Sequence, residues 1–498
     1  MGTLVRVGCV RALIAWRIAC LAAGCALLPG CRRHDPGPAL QIVGESARLR
    51  TTDPTPATSP WFDGARITLV AARGEIVGLQ VLHRGGGPVT LTLPATPVQV
   101  RGYAVEPLEV SRPSTAMYGG SHGAGAYPDG LSPAAAPTTD PAYFELEVAR
   151  DAAPGVISGE LTAAGRTVPV VVTIAPVTLP PLPARVWAYE DPREITWAGA
   201  DERACIAMFR AYGVLLSPDV HLEDWPARRE LLAGYHDVPV WISDDPAKAG
   251  AQVKGWIAAF AGTGQVPFAI PIDEPRTPEA RRRVRALADV VRAAGGGPAS
   301  FRFAVTDEPH DEYGDAIDLY ISLRAHLTGD RGERWTYNGA PPRAGAMVLD
   351  AEAPGMRTWG WIAWRWQIPI WYAWDALYWH DRHNRKAAPL PGRALDRRDA
   401  VSFDDGEDHG NLDGVLALPG CRPTLRLAAL RRGYQDRALL ELAAACDRTA
   451  ADALAAQLVP RALGDAGTTA AWPGEEAAWE AARRRLIELA GCRAASPP

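Results

Sequence analysis

The stretch "VPFAIPIDEPRTPEARRRVRALADVVRAAGGG", Val266 to Gly297, decides how the chain is read. Its first seven residues form an apolar run of strand length. Two acids, Asp273 and Glu274, and then Pro275 end that run abruptly. Thr277-Pro278 is a helix cap followed by a first-turn proline, and Val284, Leu287, Val290 and Val291 recur at helical spacing. Three glycines then stop the helix. The whole is one strand-to-helix unit.

The same rhythm extends on both sides. Short apolar runs recur at "RVWAY", "GVLLS", "VPVWIS", "FRFAVT", "IDLYIS" and "MVLD", with helical patterns between some of them. Alternating β and α segments over about 250 residues predict a parallel sheet, most simply a (β/α)8 TIM barrel over 184–447. Upstream the period is two. "RITLVAARGEIVGLQVLHRGG" and "VTLTLPATPVQVRGYAVEPLEV" alternate and are broken by Gly and Pro, which predicts an N-terminal β-sandwich over 40–182. Beyond the barrel, "GEEAAWEAARRRLIELAG" gives a helical C-terminal tail, taken as 448–498.

The N-terminus has the form of an export leader. Arg6 and Arg11 precede "IACLAAGCALL", which is of signal length and too short to span a bilayer. Leu28-Pro29-Gly30-Cys31 resembles a bacterial lipoprotein box, so Cys31 is the expected lipidation site and 1–31 the signal segment. "LAAGC", ending at Cys25, competes with it, and an ordinary cleaved signal giving a periplasmic or secreted protein is the alternative. Residues 32–60, rich in Pro, Thr and charge, are expected to tether the anchor to the fold.

Composition narrows the function classes. Of 498 residues, 47% are hydrophobic and 22% charged, with a net charge of -5. Three basic residues and no acid lie in 1–30, so the remainder is more acidic still. No basic block stands out, which argues against nucleic acid as a partner. Past Cys31 only Cys205, Cys421, Cys446 and Cys492 remain, in no metal-binding pattern. Export permits disulfides, and Cys421 with Cys446 is one pairing to consider. No HExxH, GxGxxG or P-loop occurs. A lone GxSxG match, "GGSHG" around Ser121, lies in a glycine-rich loop without the strand–turn–helix context of a nucleophile elbow. The residues therefore imply neither metal nor cofactor.

Two acidic pairs sit where a barrel places its chemistry, at strand C-termini. At Asp273-Glu274, Pro275 is expected to hold Glu274 out of the helical region and so fix its direction. Two close carboxylates push one pKa upward, which suits general-acid work. Asp307-Glu308 is similar, but Asp311, Glu312 and Asp315 follow, and so many acids read as a solvated loop. Seven of the 17 tryptophans fall between Trp359 and Trp379. Aromatic faces stack on the C–H faces of sugar rings, so carbohydrate is the leading ligand class.

On these residues the chain resembles glycoside hydrolase family 123 and the related domain of unknown function 4091, of β-N-acetylgalactosaminidase type. "LVAARGEIVGLQV", "YPDGL" and "DAAPGVISGELT" match in the sandwich region. "IPIDEP", "AIDLYI", "ERWTYNGAPP", "GMRTWGWIAWRWQIPIWYAWDALYW", "NLDGVLALPG" and "TLRLAALRRGYQDRALLEL" then follow in the family's order. The sequence departs from the family at Pro271, at Leu412-Asp413-Gly414 and at Leu418-Pro419-Gly420. The resemblance implies an exo-acting hydrolase that removes terminal β-linked N-acetylhexosamine, expected to be GalNAc, by substrate-assisted retention. It implies Glu274 as general acid and then base, and Asp273 as the residue that orients the acetamide. Trp335, Tyr337, Trp359, Tyr378 and Trp379 are the candidates to line the sugar site. The expected partner is a glycan, with membrane contact through the lipid anchor. Two alternatives stay open. One is a retaining glycosidase for another sugar, using carboxylates set farther apart, with Glu308 or Asp375 as the second. The other is a non-catalytic glycan-binding lipoprotein.

Overall fold

The computed structural model describes residues 37–494 apart from 85, 119, 323–331, 340–342, 383–391 and 465–468. Cys31 and the export leader lie outside the described residues. Nine strands make the N-terminal sandwich: β1 (Leu40–Gly44), β2 (Ile67–Arg73), β3 (Ile76–His83), β4 (Thr90–Thr92), β5 (Val98–Val110), β6 (Gly125–Pro133), β7 (Ala142–Val148), β8 (Gly155–Ala163) and β9 (Arg166–Thr178). They form a five-stranded sheet ordered β1-β3-β7-β5-β6 and a four-stranded sheet ordered β2-β9-β8-β4. Alternation sorts their side chains. Val77, Leu79, Phe144 and Leu146 meet Leu69, Val170 and Val172 in the core between the sheets. Tyr103, Val105 and Tyr143 point the other way, into a second core shared with the rest of the chain.

Eight parallel strands follow: β10 (Val186–Tyr189), β11 (Val214–Ser217), β12 (Asp237–Pro239), β13 (Val266–Ala269), β14 (Arg302–Val305), β15 (Leu319–Ser322), β16 (Glu333–Tyr337) and β17 (Trp371–Ala373). β17 returns to pair with β10. Between β11 and β12 the wall is closed just beyond the strands. There Val220 N–H donates to Pro239 O (3.2 Å) and Trp241 N–H donates to Val220 O (2.8 Å). The predicted barrel is therefore present, with one strand reassigned. "MVLD", Met347–Asp350, is not a strand. Its buried polar groups serve other elements: Met347 O accepts from Arg426 (2.7 Å), and Asp350 accepts from Ser114 Oγ (2.6 Å) and from Ser121. The Ser121 hydroxyl is thus a structural donor.

The helical layer is uneven. α1 (Pro192–Trp197) and α2 (Glu202–Ala211) follow β10, and the single turn α3 (Trp225–Arg228) follows β11. α4 (Pro246–Phe260) and α5 (Pro278–Ala293) are full length. α5 starts where the sequence indicates, with Thr277 Oγ1 accepting from Ala280 N–H. Only a 3-10 turn, Asp311–Tyr313, separates β14 from β15. α6 (Thr358–Arg365) precedes β17, and a hairpin of β18 (Val401–Asp404) and β19 (His409–Asn411) leads to α7 (Leu425–Leu458) and α8 (Glu476–Leu489).

α7 is buried all round from Leu425 to Leu440, although Arg426, Arg431, Arg432, Asp436 and Arg437 lie in that span. Buried charges require partners. Arg426 pairs with Asp129 (3.0 Å), Arg431 with Glu145 (2.6 Å), and Arg432 with Glu75 (2.5 Å) and Glu45 (3.3 Å). All four acids belong to the sandwich. Arg483 of α8 also grips Glu75, and Asp436 takes Arg357 (2.9 Å). α7 and α6 touch backbone to backbone: a Cβ on Gly360 would sit 1.8 Å from Gly433 O. At Asp447 the backbone leaves helical geometry (φ -147°, ψ 92°), and its side chain caps the next turn by accepting from Ala450 N–H (2.9 Å).

The cysteines pair as Cys205–Cys421 and Cys446–Cys492, with Cα separations of 5.4 and 6.1 Å. This corrects the Cys421–Cys446 pairing. α7 separates those two residues: from Leu425 to Cys446 it rises 21 residues at about 1.5 Å each, roughly 32 Å, too far for a disulfide.

Glu75→Ala should leave Arg432 and Arg483 buried with only their longer pairs, to Glu45 and Glu480 (3.3 Å each). We expect a loss of roughly 3–5 kcal/mol, read as a lower urea midpoint. Glu160→Ala, on a more exposed sandwich strand, should change the midpoint little.

Candidate active site

The barrel interior is filled by aromatic rings. Trp187 stacks on Tyr372 (4.6 Å between centroids) and meets Phe268 edge-on (5.6 Å), and Phe268 meets Trp335 edge-on (5.2 Å). This layer is a floor. Above it, at the C-terminal ends of the strands, the side chains become polar.

β13 ends at Ala269, and the chain rises to Asp273 and Glu274 on the rim. Thr306, just past β14, organises both. Its hydroxyl donates to Asp273 Oδ1 (2.6 Å) and accepts from Glu274 N–H (2.7 Å). Glu274 has φ +40°, in the left-handed region, instead of the extended conformation expected before Pro275. The bond to Thr306 accompanies this turn, and such a conformation costs of order 1–3 kcal/mol. The two adjacent acids consequently have separate partners. Asp273 faces Thr306, while Glu274 Oε1 accepts from Tyr337 Oη (2.7 Å) and Oε2 accepts from Arg276 Nη2 (2.5 Å). An open pocket of about 290 Å³ is lined by Glu274, Pro275, Arg276, Arg281, Thr306, Asp307 and Tyr337.

The electrostatics separate the pair. Burial pushes the Asp273 carboxyl up, and Glu274 adds to that push while the Thr306 hydroxyl opposes it. Burial would raise Glu274 too, but the hydrogen bonds from Arg276 and Tyr337 outweigh it and hold that carboxyl below the usual range. Tyr337 is pushed up by burial and then by Glu274, so its hydroxyl remains a donor. Asp219, two residues past β11, has an exposed side chain, yet the protein crowded around it desolvates the carboxylate and, with Asp273, raises it to about 7.

The second acidic pair has a different environment. Asp307 accepts from Arg281 Nε (3.0 Å), Tyr313 Oη (2.6 Å) and Glu308 N–H (2.8 Å), so its oxygens hold α5 and the following 3-10 turn in place. Asp375 is buried, accepts from Leu377 N–H (2.8 Å) and Arg382 (2.9 Å), and is raised to about 7 by burial. Asp307 borders the pocket with its oxygens engaged by these donors, and Asp375 is engaged in the core.

Of the five aromatic candidates, only Tyr337 touches the acidic pair. Trp335 is in the barrel floor and donates to Glu333 (2.9 Å). Trp359 is fully buried, stacked on Trp371 (4.5 Å), with its ring N–H on Gly345 O (2.8 Å). Trp379 is fully buried and donates to Ala417 O (2.7 Å). Tyr378 is packed against Trp374 and bonds Asp381 (3.2 Å). The tryptophan run is the joint between barrel and α7: Trp361 donates to Asp436 (3.0 Å) and Trp364 to Asp452 (3.1 Å). Asp413, at the departure Leu412-Asp413-Gly414, is occupied by Trp374 (3.0 Å). Sequence reasoning missed Thr306, Arg276 and Asp219. The "VT" before Asp307 marked a strand end, and nothing in it linked Thr306 to Asp273. Among the described residues no group of His, Cys, Asp and Glu is placed to hold a metal.

No protein-family model and no curated protein matches the sequence. Solved structures do match. A family 123 glycoside hydrolase from Clostridium perfringens, described for glycolipid glycan hydrolysis, superposes with a TM-score of 0.54 at 10% identity, over 91% of this chain and 98% of its own. A family 2 glycosyl hydrolase from Bacteroides cellulosilyticus overlaps in part, with a TM-score of 0.24 at 9% identity over 61% and 44% of the two chains, and carries no further weight. The first match shows the fold: this chain has the architecture of a family 123 glycoside hydrolase.

Carboxyl-resolved NMR should find Glu274 titrating below an ordinary glutamate and Asp273 above an ordinary aspartate. Arg276→Ala should move Glu274 upward, and Thr306→Val should move Asp273 upward. Unchanged values in both variants would remove these contacts as the cause.

Proposed function

We propose that the protein is an exported glycoside hydrolase that removes terminal β-linked N-acetylhexosamine, N-acetylgalactosamine first, with retention. The observation that carries this reading is the divergence of Asp273 and Glu274 from one strand end, on a barrel with the family 123 fold. Adjacent carboxylates facing different partners can act on two atoms of one sugar.

In this mechanism the acetamido oxygen of the substrate attacks its own anomeric carbon. Glu274 gives its proton to the glycosidic oxygen as that bond breaks and the alcohol leaves. Asp273, as carboxylate, accepts from the acetamide N–H and offsets the positive charge of the oxazolinium. Glu274 then takes a proton from water, whose oxygen attacks the anomeric carbon and reopens the ring. Tyr337 steers Glu274 throughout.

The free site is set against the first step, because Glu274 is held ionised. A bound sugar changes that balance. Arg276 is 81% exposed along its side chain, so a ring entering the pocket can displace it and exclude water from Glu274. Both changes raise the pKa of an acid. Of the two residues that the alternative with separated carboxylates would use, Asp375 is disfavoured by its occupied oxygens.

The two disulfides fit an oxidising compartment. Among the described residues no helix is long and apolar enough to cross a membrane. Anchoring through Cys31 completes the proposal, and the glycan would be met outside the cytoplasm.

Glu274→Gln should lower turnover of an aryl β-N-acetylgalactosaminide by about 10²–10⁴-fold, and Asp273→Asn should lower it strongly. Full activity in both variants would overturn the assignment. Because the mechanism needs Glu274 protonated and Asp273 ionised, while the free site holds Glu274 low and Asp273 high, kcat/KM should follow a bell on the acid side of neutrality. Arg276→Ala, by raising Glu274, should increase the height of that bell. Separately, Cys31→Ser should move the protein from the membrane fraction to the soluble one and abolish labelling by a palmitate analogue.

A further inference from the structure

Most tryptophans here are buried. Trp241 is 41% exposed, and it lies at the point where the barrel wall closes. Val238, Val240 and Ile242 point outward into the core under α4 and α5, as does Val220 on the facing segment. Side chains alternate along extended backbone, so Asp219, His221 and Trp241 face away from that core. The rings of Trp241 and His221 stack, 4.8 Å apart and 20° from parallel. The backbone beneath them is fixed on both sides. Trp241 N–H donates to Val220 O (2.8 Å), and its carbonyl accepts from Trp256 Nε1 (3.1 Å). A flat, rigid aromatic face therefore stands one strand from β13 and its acids. Asp219 precedes Val220, the residue that bonds Trp241, and its charge interacts with that of Asp273.

We propose that this closure seam is the wall that holds the sugar ring being released, with Trp241 backed by His221 as its stacking platform and Asp219 as the acceptor of its ring hydroxyls. The inference rests on the glycosidase reading for the identity of the ligand. The chemistry matches on both counts. A pyranose offers an apolar C–H face to an aromatic ring and hydroxyl donors around its edge to a carboxylate. The wall stands on the β12 side of β13, while Tyr337 and Arg276 hold Glu274.

The test measures binding without turnover. Full-length protein carrying Glu274→Gln is titrated with N-acetylgalactosamine, N-acetylglucosamine and galactose, followed by calorimetry and tryptophan fluorescence. Adding Trp241→Ala should weaken N-acetylgalactosamine binding at least about tenfold, while Trp241→Phe stays within about threefold. Adding Asp219→Asn should weaken binding and narrow the preference among the three sugars. Thermal melting should be unchanged by Trp241→Ala, since the ring is on the rim. Wild-type affinity in both Trp241→Ala and Asp219→Asn overturns the proposal, and so does the absence of binding by all three sugars. Trp241-dependent binding in a protein with no hydrolytic activity keeps the wall and removes the hydrolase reading.

Discussion

The structure depends on a set of ion pairs that no single domain could bury alone. Arg426, Arg431 and Arg432 project from one helix, and their acids Asp129, Glu145, Glu75 and Glu45 lie on the sandwich. Removing such charges from water is costly, and their mutual attraction offsets the cost only when each finds its own partner. That requirement fixes the axial position and rotation of α7 against the sandwich. α6 then follows, because Gly360 and Gly433 let the two helix backbones come into close contact. α6 leads directly into β17, and β17 closes the barrel on β10. The sandwich is thus a template for the barrel wall.

The candidate site uses the opposite strategy. Its charges are open to solvent on one side, and their pairing is loose enough to be exchanged. Thr306 is the fixed element, a hydroxyl that bonds a carboxylate and the next backbone N–H at once. It turns Glu274 into a backbone conformation that glutamate seldom adopts, and this separates two acids that are covalent neighbours. In a regular strand they would point to opposite faces, and in a helix they would be about 100° apart. A strained strand end gives a third geometry.

Much of this was legible in the sequence, because local pattern carries fold. The period of two before Pro180, the strand-to-helix unit at 266–297 and the Thr277 cap all act over a few residues. The preference for the first acidic pair rested on the order of segments along the chain, and the structure gives the two pairs different partners. What could not be read was long-range. Seven clustered tryptophans look like a ligand platform, yet Trp361 and Trp364 are satisfied by Asp436 and Asp452, some 75 and 88 residues away. Cys205 and Cys421 are 216 residues apart, and nothing near either marks the other. Arginines in "LRRGYQDR" read as the solvated face of a helix until their acids are located.

The spacing of these partners along the chain bears on how the protein is made. Glu75 meets Arg483 across 408 residues. A ribosome delivers the acids first and most of the arginines almost last, so an emerging sandwich carries carboxylates on its outer face, where Arg101 alone of the sandwich bonds Glu145. That face has to stay hydrated until α7 and α8 arrive. A chain cut short before its last helices would be left with this charged and apolar face uncovered, the kind of surface a quality-control protease recognises.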